Sequence, residues 1–373
     1  MELVLSLALV RAQLRRPAGN RHAGDGHLRR KIIDALPYAL TRSQREAVAA
    51  ITEDLRQPVR MLRLVQGDVG SGKTVVALLA AAAVTEAGKQ AALMAPTEIL
   101  ARQHIKTIAP LAERAGMRVA ILTGREKGKE RRELLARLEA GEIDLLVGTH
   151  ALIQDDVIYK ALALAVVDEQ HRFGVRERLA LTSKGEAVDV LVLSATPIPR
   201  TLVLTYFGDM DVSELREKPA GRQPIDTHVV GLLEHPAWER RIMARAAEEI
   251  AAGRQVYMVA PKIGADDEVP PFSLAGSAAD EKAAEAMVST TWLELLVQRA
   301  PELEQARVAV LHGRLDAAQK TETMEAFAAG EIDLLICTTV VEVGVDVPNA
   351  TLMVIVDADR FGISQLHQLR GRI

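Results

Sequence analysis

GDVGSGKT, residues 67–74, decides how the first half of this chain folds. The segment matches the phosphate-binding loop pattern G-x-x-x-x-G-K-[ST] at every fixed position. The apolar run 61–65 before it and the Ala/Leu/Val-rich run 75–84 after it predict a strand, a glycine loop and a helix, which is the context that this motif requires. A glycine-rich turn with a chance Lys-Thr pair is the alternative, and the flanking strand and helix argue against it.

The loop residues predict a site for a nucleotide phosphate. We expect backbone N–H groups of the loop, with the N-terminus of the following helix, to surround phosphate oxygens. Lys73 would reach the β- and γ-phosphates of ATP, and the Thr74 hydroxyl would ligate Mg²⁺. The nucleotide-binding candidates of the loop are Gly67, Asp68, Val69, Gly70, Ser71, Gly72, Lys73 and Thr74.

Length and composition limit the possible classes of function. A chain of 373 residues is too long for one ordinary core, so two domains are expected. A net charge of −4 and an aromatic content of 3% argue against a globally basic surface or a base-stacking platform, so any nucleic-acid site must be a local groove. The single Cys337 excludes a disulfide framework and a cysteine metal site, and it suggests a reducing cytoplasm. No apolar run reaches about 18 residues, so no membrane span is expected.

Apolar runs alternate with helical segments after residue 89, which predicts an α/β fold with a parallel sheet covered on both faces. Ligands of such sheets lie at the carboxyl ends of the strands. Asp168 and Glu169 directly follow the all-apolar run 162–167. We expect Asp168 to hold Mg²⁺, directly or through water, and Glu169 to orient and deprotonate the attacking water. Arg370 and Arg372 are candidates for the cation near the γ-phosphate, with a surface basic cluster as the alternative.

The second half of the chain repeats the first at an offset of 189 residues, for example from 140 to 329. AGEIDLLVGT at 140–149 returns as AGEIDLLICT at 329–338, and RVAILTGR at 118–125 returns as RVAVLHGR at 307–314. This register indicates two copies of one α/β domain, with convergent strand composition as the alternative. The run 255–260 ends in Pro-Lys where a phosphate loop would stand, so the first copy is expected to hold the nucleotide.

The expected domain organisation follows from this repeat and from a polar boundary near 212–226, which contains Pro and Gly. Residues 1–30 are interpreted as a short N-terminal helical segment, the remnant of a linker. Residues 31–215 form the first domain and residues 226–373 the second. An acidic insertion at 264–285 is expected to be a solvated loop. Thr41 is a candidate N-cap for a helix that precedes the phosphate loop, and Gln44 on this helix would ordinarily face solvent.

Eight longer motifs match one known family: LTRSQREAV, GDVGSGKT, APTEILARQH, GTHALIQ, DEQHRFGVRER, SATPIPRTL, VEVGVDVPNATLMVI and DRFGISQLHQLRGR. From about residue 30 onward the chain resembles the superfamily 2 helicases and, within them, the bacterial RecG family of ATP-dependent DNA helicases. The related transcription-repair coupling factors share SATPIPRT and RFGV. DEQH at 168–171 and SQLHQLRGR at 364–372 favour the RecG family.

The resemblance implies two tandem RecA-like domains that clamp ATP and Mg²⁺ and move along duplex DNA. It implies a DNA-stimulated ATP hydrolase that remodels branched DNA, such as stalled forks and Holliday junctions, in recombination and repair. It further implies a monomer in the bacterial cytoplasm that associates with single-strand-binding protein. Contacts with the DNA backbone through hydroxyl and amide groups are independent of base sequence, which suits a translocase with modest net charge.

The resemblance also assigns roles to individual residues. Gln44 would read adenine, and Gly344 and Asp346 would approach the ribose and phosphates from the second domain. Arg370 would contact the nucleotide, and Arg372 would act as the catalytic cation. The residues that couple the nucleotide state to DNA would be Gln170, His171, Ser194 and Thr196. The residues near the DNA backbone would be Thr97, Thr123, Arg125, Thr149, His312 and Thr338.

Two departures from the family pattern predict that this chain is a fragment. Nothing in it resembles the family's N-terminal wedge domain, and it stops at Ile373, about two residues before a second arginine that would be the better candidate for the catalytic cation. Three alternatives therefore stay open: a transcription-repair translocase, a non-catalytic module that binds ATP and DNA, and a small-molecule P-loop kinase. The repeated domain argues against the kinase.

Overall fold

The chain divides into two compact units, Met1–Arg222 and Gln223–Ile373, and each is described by itself. The computed structural model describes residues 24–168, 180–185, 187–195, 210–217, 225–232, 234–261, 290–338 and 347–373. Within these residues, both units are α/β and both sheets contain parallel strand pairs. The predicted fold class is therefore confirmed.

The first unit is built on a seven-stranded sheet. Its strands are β1 (Leu62–Gly67), β2 (Gln90–Met94), β3 (Val119–Leu122), β4 (Leu145–Gly148), β5 (Leu162–Val167), β6 (Asp189–Ser194) and β7 (Asp211–Leu215). Its helices are α1 (His27–Ala35), α2 (Arg42–Asp54), α3 (Lys73–Glu86), α4 (Glu98–Ala115) and α5 (Gly128–Ala140), with a 3₁₀ turn at His150–Ile153. The strand order is β3-β4-β2-β5-β6-β1-β7.

The centre of this sheet is buried on both faces. Every residue of β5 and β6 is buried, and so are residues 75–84 of α3, which packs against the sheet. A strand covered on both faces is rich in apolar side chains, which explains the unbroken apolar run of β5 and the four apolar residues 190–193 of β6. Because β1 and β5 both pair in parallel with β6, their carboxyl ends lie at the same edge of the core.

Strand β7 lies at the predicted boundary between the domains. Asp211–Leu215 pairs in parallel with β1, so the start of the polar segment 212–226 belongs to the first sheet, and the division of the chain between Arg222 and Gln223 lies inside that segment. This strand lies at the edge of the sheet, and only Ser213 and Leu215 of its side chains are buried. Because two of its five residues are acidic and the buried Ser213 is polar, the segment does not resemble a buried apolar strand in the sequence.

The second unit contains a four-stranded sheet among the described residues. Its strands are β8 (Gln255–Val259), β9 (Val308–Leu311), β10 (Leu334–Cys337) and β11 (Ala350–Ile355), in the order β11-β8-β10-β9. Its helices are α6 (Ala237–Ala251), α7 (Thr290–Gln298), α8 (Ala317–Ala328) and α9 (Ile363–Arg370), with 3₁₀ turns at Pro301–Leu303 and Ala358–Arg360. The predicted insertion at 264–285 lies outside the described residues.

The two units repeat the same contacts, as the offset of 189 predicts. Arg118 donates to both carboxylate oxygens of Asp144 and to the carbonyl of Gly141. Arg307 donates to both oxygens of Asp333 and to the carbonyl of Gly330 in the same way. The strand pairs β3–β4 and β9–β10 also have matching registers. The internal repeat is therefore a structural repeat.

The position of β8 within this repeat corrects one prediction. The sequence analysis takes the run 255–260 as the counterpart of the phosphate-loop strand. However, β8 lies between β11 and β10, as β2 lies between β5 and β4. Gln255 and Gln90 also begin their strands with the same pair of carbonyl contacts. The Pro-Lys that follows β8 therefore corresponds to the Pro-Thr at 96–97, not to the phosphate loop.

None of the helices in the described ranges combines the length and the apolarity that crossing a bilayer requires.

Candidate nucleotide site

The phosphate loop stands at the carboxyl end of β1, and helix α3 begins at Lys73 within its last two residues. Gly70 and Gly72 have φ values of 76° and 84°, in the left-handed region that other residues rarely adopt. A Cβ on Gly67 would lie 2.5 Å from the Ser71 hydroxyl oxygen and 2.8 Å from the Cβ of Leu215. Three glycines of the motif are thus required by the backbone conformation or by close packing.

Lys73 is folded back over this loop. Its Nζ donates to the carbonyl oxygens of Gly67 and Asp68, at 2.8 Å and 2.9 Å. These bonds hold the ammonium group above the N-terminus of α3, where the partial charge of the helix is also positive. The Lys73 ammonium and the helix N-terminus therefore both favour negative charge where the motif predicts the phosphates.

Ser71 shows that the loop fits a polar ligand. Its side chain is 1% exposed, and its hydroxyl oxygen has no hydrogen-bond partner within the described part of the chain. A buried hydroxyl without a partner costs free energy that a hydrogen-bonding ligand would recover. Together with the glycine backbone and the Lys73 ammonium, this hydroxyl fits a phosphate group.

Gln44 is buried, with an exposed fraction of 0%, so the ordinary solvent-facing interpretation of this residue is wrong. Its Nε2 donates to the Ser71 carbonyl at 2.8 Å, and its Oε1 accepts the N–H of Thr41 at 2.8 Å. The predicted N-cap at Thr41 is confirmed, because Thr41 and Gln44 form a capping box. A Cβ on Gly72 would meet the Gln44 amide nitrogen. Contact of Gln44 with adenine stays a prediction.

The two predicted Mg²⁺ ligands are joined by a histidine that the sequence analysis missed. Asp168 follows β5, is 6% exposed, and its Oδ2 lies 2.7 Å from Nε2 of His104 on α4. The Nδ1 of the same ring lies 3.4 Å from the Thr74 hydroxyl oxygen. Carboxylate and hydroxyl oxygens are ligands that Mg²⁺ prefers, so the donor set fits this ion.

A signal for His104 was present in the sequence. The buried residues of α4 include Leu100, Ala101, His104, Ile108 and Ala112, which recur at three- and four-residue spacing on one helix face. A histidine at an inward position of such a helix needs a polar partner. The partner lies 64 residues further along the chain, so local pattern alone does not identify it.

The DNA candidates of the first unit follow strands β2, β3 and β4, which are neighbours at the same edge of the sheet. Thr97 caps α4 by accepting the N–H of Leu100, and the Thr149 hydroxyl accepts the N–H of Ala151. Thr123 is fully buried, and its hydroxyl donates to Glu126 at 2.7 Å. The hydroxyls of these threonines therefore serve local structure.

Charged side chains surround Thr123. Glu126 accepts both the hydroxyl and the backbone N–H of Thr123, and it pairs with Arg102 at 3.3 Å. Burial alone would raise the pKa of the Glu126 carboxyl, but the two hydrogen bonds from Thr123 outweigh burial and the pKa is lowered. Arg125 forms an ion pair with Glu98. This network fixes the β3 loop at the edge where the DNA contacts are predicted.

The remaining candidates differ in their placement. Ser194 ends β6 and is fully buried beside the end of β1. His312 follows β9 and Thr338 follows β10, so these two stand at neighbouring strand ends of the second sheet. Arg370 is exposed and donates to the carbonyl of Ile225 at 3.0 Å.

Arg372, which is assigned as the catalytic cation by resemblance, is 7% exposed. The roles assigned to Arg370 and Arg372 stay predictions. The other candidates, Glu169, Gln170, His171, Thr196, Gly344 and Asp346, lie outside the described residues.

Comparisons with known proteins identify the same two halves. The DEAD/DEAH box helicase family model matches residues 41–204, and the helicase conserved C-terminal domain model matches residues 279–373. The ATP-dependent DNA helicase RecG of Mycobacterium tuberculosis is 47% identical over 357 residues, and that of Bacillus subtilis is 48% identical over 352 residues. Each alignment covers 92% of this chain and 47% of the relative, so the chain spans about half the length of these curated relatives.

Solved structures support the same relationship. A structure of RecG bound to a three-way DNA junction matches with a TM-score of 0.79 and 37% identity, over 100% of this chain and 46% of that one. The Mycobacterium smegmatis helicase Lhr, bound to single-stranded DNA and AMP-PNP, matches with a TM-score of 0.60 and 19% identity, over 94% of this chain and 46% of that one. At that identity the Lhr match shows the fold alone.

Proposed function

We infer that the chain belongs to the RecG family of superfamily 2 helicases, and on that premise we propose that it couples ATP hydrolysis to the remodelling of branched duplex DNA. Stalled forks and Holliday junctions are the proposed substrates, in recombination and repair. The observation that carries the proposal is the phosphate loop with Lys73 folded over it, next to Asp168 at the end of β5, in a chain 47% identical to curated RecG helicases.

The proposed roles in the nucleotide site follow from the geometry. Lys73 would exchange its two carbonyl contacts for oxygens of the β- and γ-phosphates, and Ser71 would supply a further hydroxyl. Thr74 and Asp168 would hold Mg²⁺, which supplies neutralisation of the negative charge on the phosphate oxygens. Glu169 is the proposed base for the attacking water.

The proposed contacts from the rest of the chain rest on the family resemblance. Arg370 and Arg372 are the proposed cations near the γ-phosphate, with Arg372 in the catalytic role. The DNA backbone would be met at the strand ends that carry Thr97, Arg125 and Thr149 in the first unit, and His312 and Thr338 in the second. We further propose a monomer in the bacterial cytoplasm that associates with single-strand-binding protein.

The ATPase rate of this chain, with and without a synthetic three-way DNA junction, tests the proposal. We expect the junction to stimulate turnover more than a linear duplex of the same length and composition. Lys73→Ala should lose hydrolysis, because the ammonium group that meets the phosphates is gone. Equal rates with and without DNA would contradict a DNA-coupled motor, and unchanged hydrolysis by Lys73→Ala would remove the phosphate-loop assignment.

A further inference from the structure

The Thr74, His104 and Asp168 side chains form one hydrogen-bonded row. His104 Nε2 lies 2.7 Å from Asp168 Oδ2, and His104 Nδ1 lies 3.4 Å from Thr74 Oγ1. The three residues come from three elements: the start of α3, the middle of α4 and the end of β5. His104 is 8% exposed and Asp168 6% exposed, while Thr74 at the other end of the row is partly exposed.

The chemistry of the partners fixes how the protons are arranged. An ionised carboxylate only accepts hydrogen bonds, so Nε2 must carry a proton and donate it to Asp168. In a neutral ring Nδ1 then has a lone pair and accepts the Thr74 O–H. With its proton directed to the histidine, the Thr74 oxygen keeps its lone pairs for another ligand. A metal-binding hydroxyl needs this arrangement.

We propose that His104 is a positioning residue that orients both Mg²⁺ ligands of the nucleotide site, Thr74 and Asp168, through its two ring nitrogens. The inference rests on the proposed function, since it names the residue that prepares that site for its metal. His104 touches neither nucleotide nor metal in this arrangement. It acts as the outer-shell partner that fixes the direction of an inner ligand, as carboxylates and carbonyls do for many metal sites.

The position of His104 on α4 supports this role over a purely structural one. A histidine that only fills space on the inward face of α4 would not need to match a donor to Asp168 and an acceptor to Thr74. Leu100, Ala101 and Ile108, its neighbours on the same face, are apolar and buried. An apolar residue at 104 would continue that face but leave the carboxylate of Asp168 without this donor.

Magnesium dependence of nucleotide binding, measured without DNA, tests the proposal. A fluorescent non-hydrolysable ATP analogue is titrated into the full chain across a series of Mg²⁺ concentrations and in EDTA. For His104→Ala we expect the Mg²⁺ concentration at half-saturation to rise about tenfold or more, since that is the usual cost of losing an outer-shell partner. Affinity in EDTA should stay at the parent value, because phosphate contacts of the loop are intact.

Two variants separate orientation of the ligands from a packing effect. His104→Gln places an amide N–H near the Nε2 position, where it can donate to Asp168. The Mg²⁺ concentration at half-saturation should therefore return most of the way to the parent value. His150→Gln replaces an exposed histidine of the same unit and should behave as the parent chain. A His104→Ala variant with the parent's Mg²⁺ requirement, or with equal loss of affinity in EDTA and in Mg²⁺, would overturn the proposal.

The unmodified chain gives a further test that does not depend on variants that might unfold. Nitrogen-15 NMR of its histidines should show His104 protonated at Nε2 and unprotonated at Nδ1. The opposite tautomer would remove the proposed hydrogen bonds. These measurements use no DNA and no hydrolysis, so failure of the proposed motor function and failure of the His104 assignment give different results.

Discussion

The amide nitrogen of Gln44 lies 2.8 Å from the carbonyl oxygen of Ser71, so one buried side chain ties helix α2 to the phosphate loop. The other end of the same amide accepts the N–H of Thr41 and closes the capping box. The loop is therefore held from outside its own motif, by a residue 27 positions earlier in the chain. A change at Gln44 should act on nucleotide binding through the position of the loop.

Gln44→Glu tests this link. The carboxylate still accepts from Thr41, but it cannot donate to Ser71, and it places a charge opposite a carbonyl oxygen in a fully buried position. We expect a loss of about 1–3 kcal/mol in the free energy of unfolding, together with weaker nucleotide binding. Urea denaturation and titration with a fluorescent ATP analogue measure the two effects.

The second unit offers a matched control for this variant. Gln319 occupies the same position in the capping box of α8, where it bonds Asp316, but it is exposed. Gln319→Glu keeps a residue that capping boxes accept, so stability and nucleotide binding should be unchanged. If Gln44→Glu bound the nucleotide as tightly as the parent chain, the contact with Ser71 would not position the loop.

The buried carboxyl of Asp189 should make the free energy of unfolding depend on pH. It begins β6, and its Oδ1 accepts the N–H of Met61 at 2.6 Å. Burial raises the pKa of this carboxyl to about 7, with the Met61 hydrogen bond opposing the rise. The unfolded pKa lies near 4. Between about pH 4 and pH 7 the folded state therefore binds more protons at Asp189 than the unfolded state does. The contribution of this carboxyl to the free energy of unfolding falls as pH rises through that window.

Asp189→Asn should remove this pH dependence while keeping an oxygen that accepts from Met61. We expect the variant to be more stable than the parent at pH 8, by an amount on the order of a few kcal/mol, and by clearly less at pH 5, where only the start of the window has been passed. Urea denaturation at both pH values measures the difference. Asp155→Asn, at an exposed position, should match the parent at both. A gain of the same size at pH 5 and pH 8 would contradict the raised pKa.

The sequence predicted those features that depend on local pattern. The phosphate loop follows from fixed glycine and Lys-Thr positions, and β5 follows from a run that is apolar because both faces are covered. It did not predict β7, an edge strand with two acidic residues and only two buried side chains.

Contacts between distant residues could not be predicted from local pattern. The His104–Asp168 hydrogen bond spans 64 positions, and the Gln44–Ser71 bond spans 27. Each depends on which elements the sheet order brings together. The same reason explains the wrong counterpart for β8: its sequence resembles any buried strand, and only its place in the sheet identifies it with β2.

Two buried glutamines provide a last prediction, because the internal repeat places them in equivalent positions. Gln90 donates to the carbonyls of Leu138 and Ile143, and Gln255 donates to those of Phe327 and Ile332. Each side chain thus satisfies two backbone acceptors at the end of a helix and in the segment that leads to the next strand. An apolar side chain of similar size would leave both acceptors without this donor.

Gln90→Leu and Gln255→Leu should each destabilise their own unit by about 2–3 kcal/mol, because buried carbonyls lose a donor. Hydrogen-exchange mass spectrometry reads the two units separately, so protection should fall around β2 and β4 in the first variant and around β8 and β10 in the second. Gln298→Leu, at an exposed position of α7, should leave exchange unchanged. A large loss in only one of the two glutamine variants would show that the repeated contact does not carry equal weight in both units.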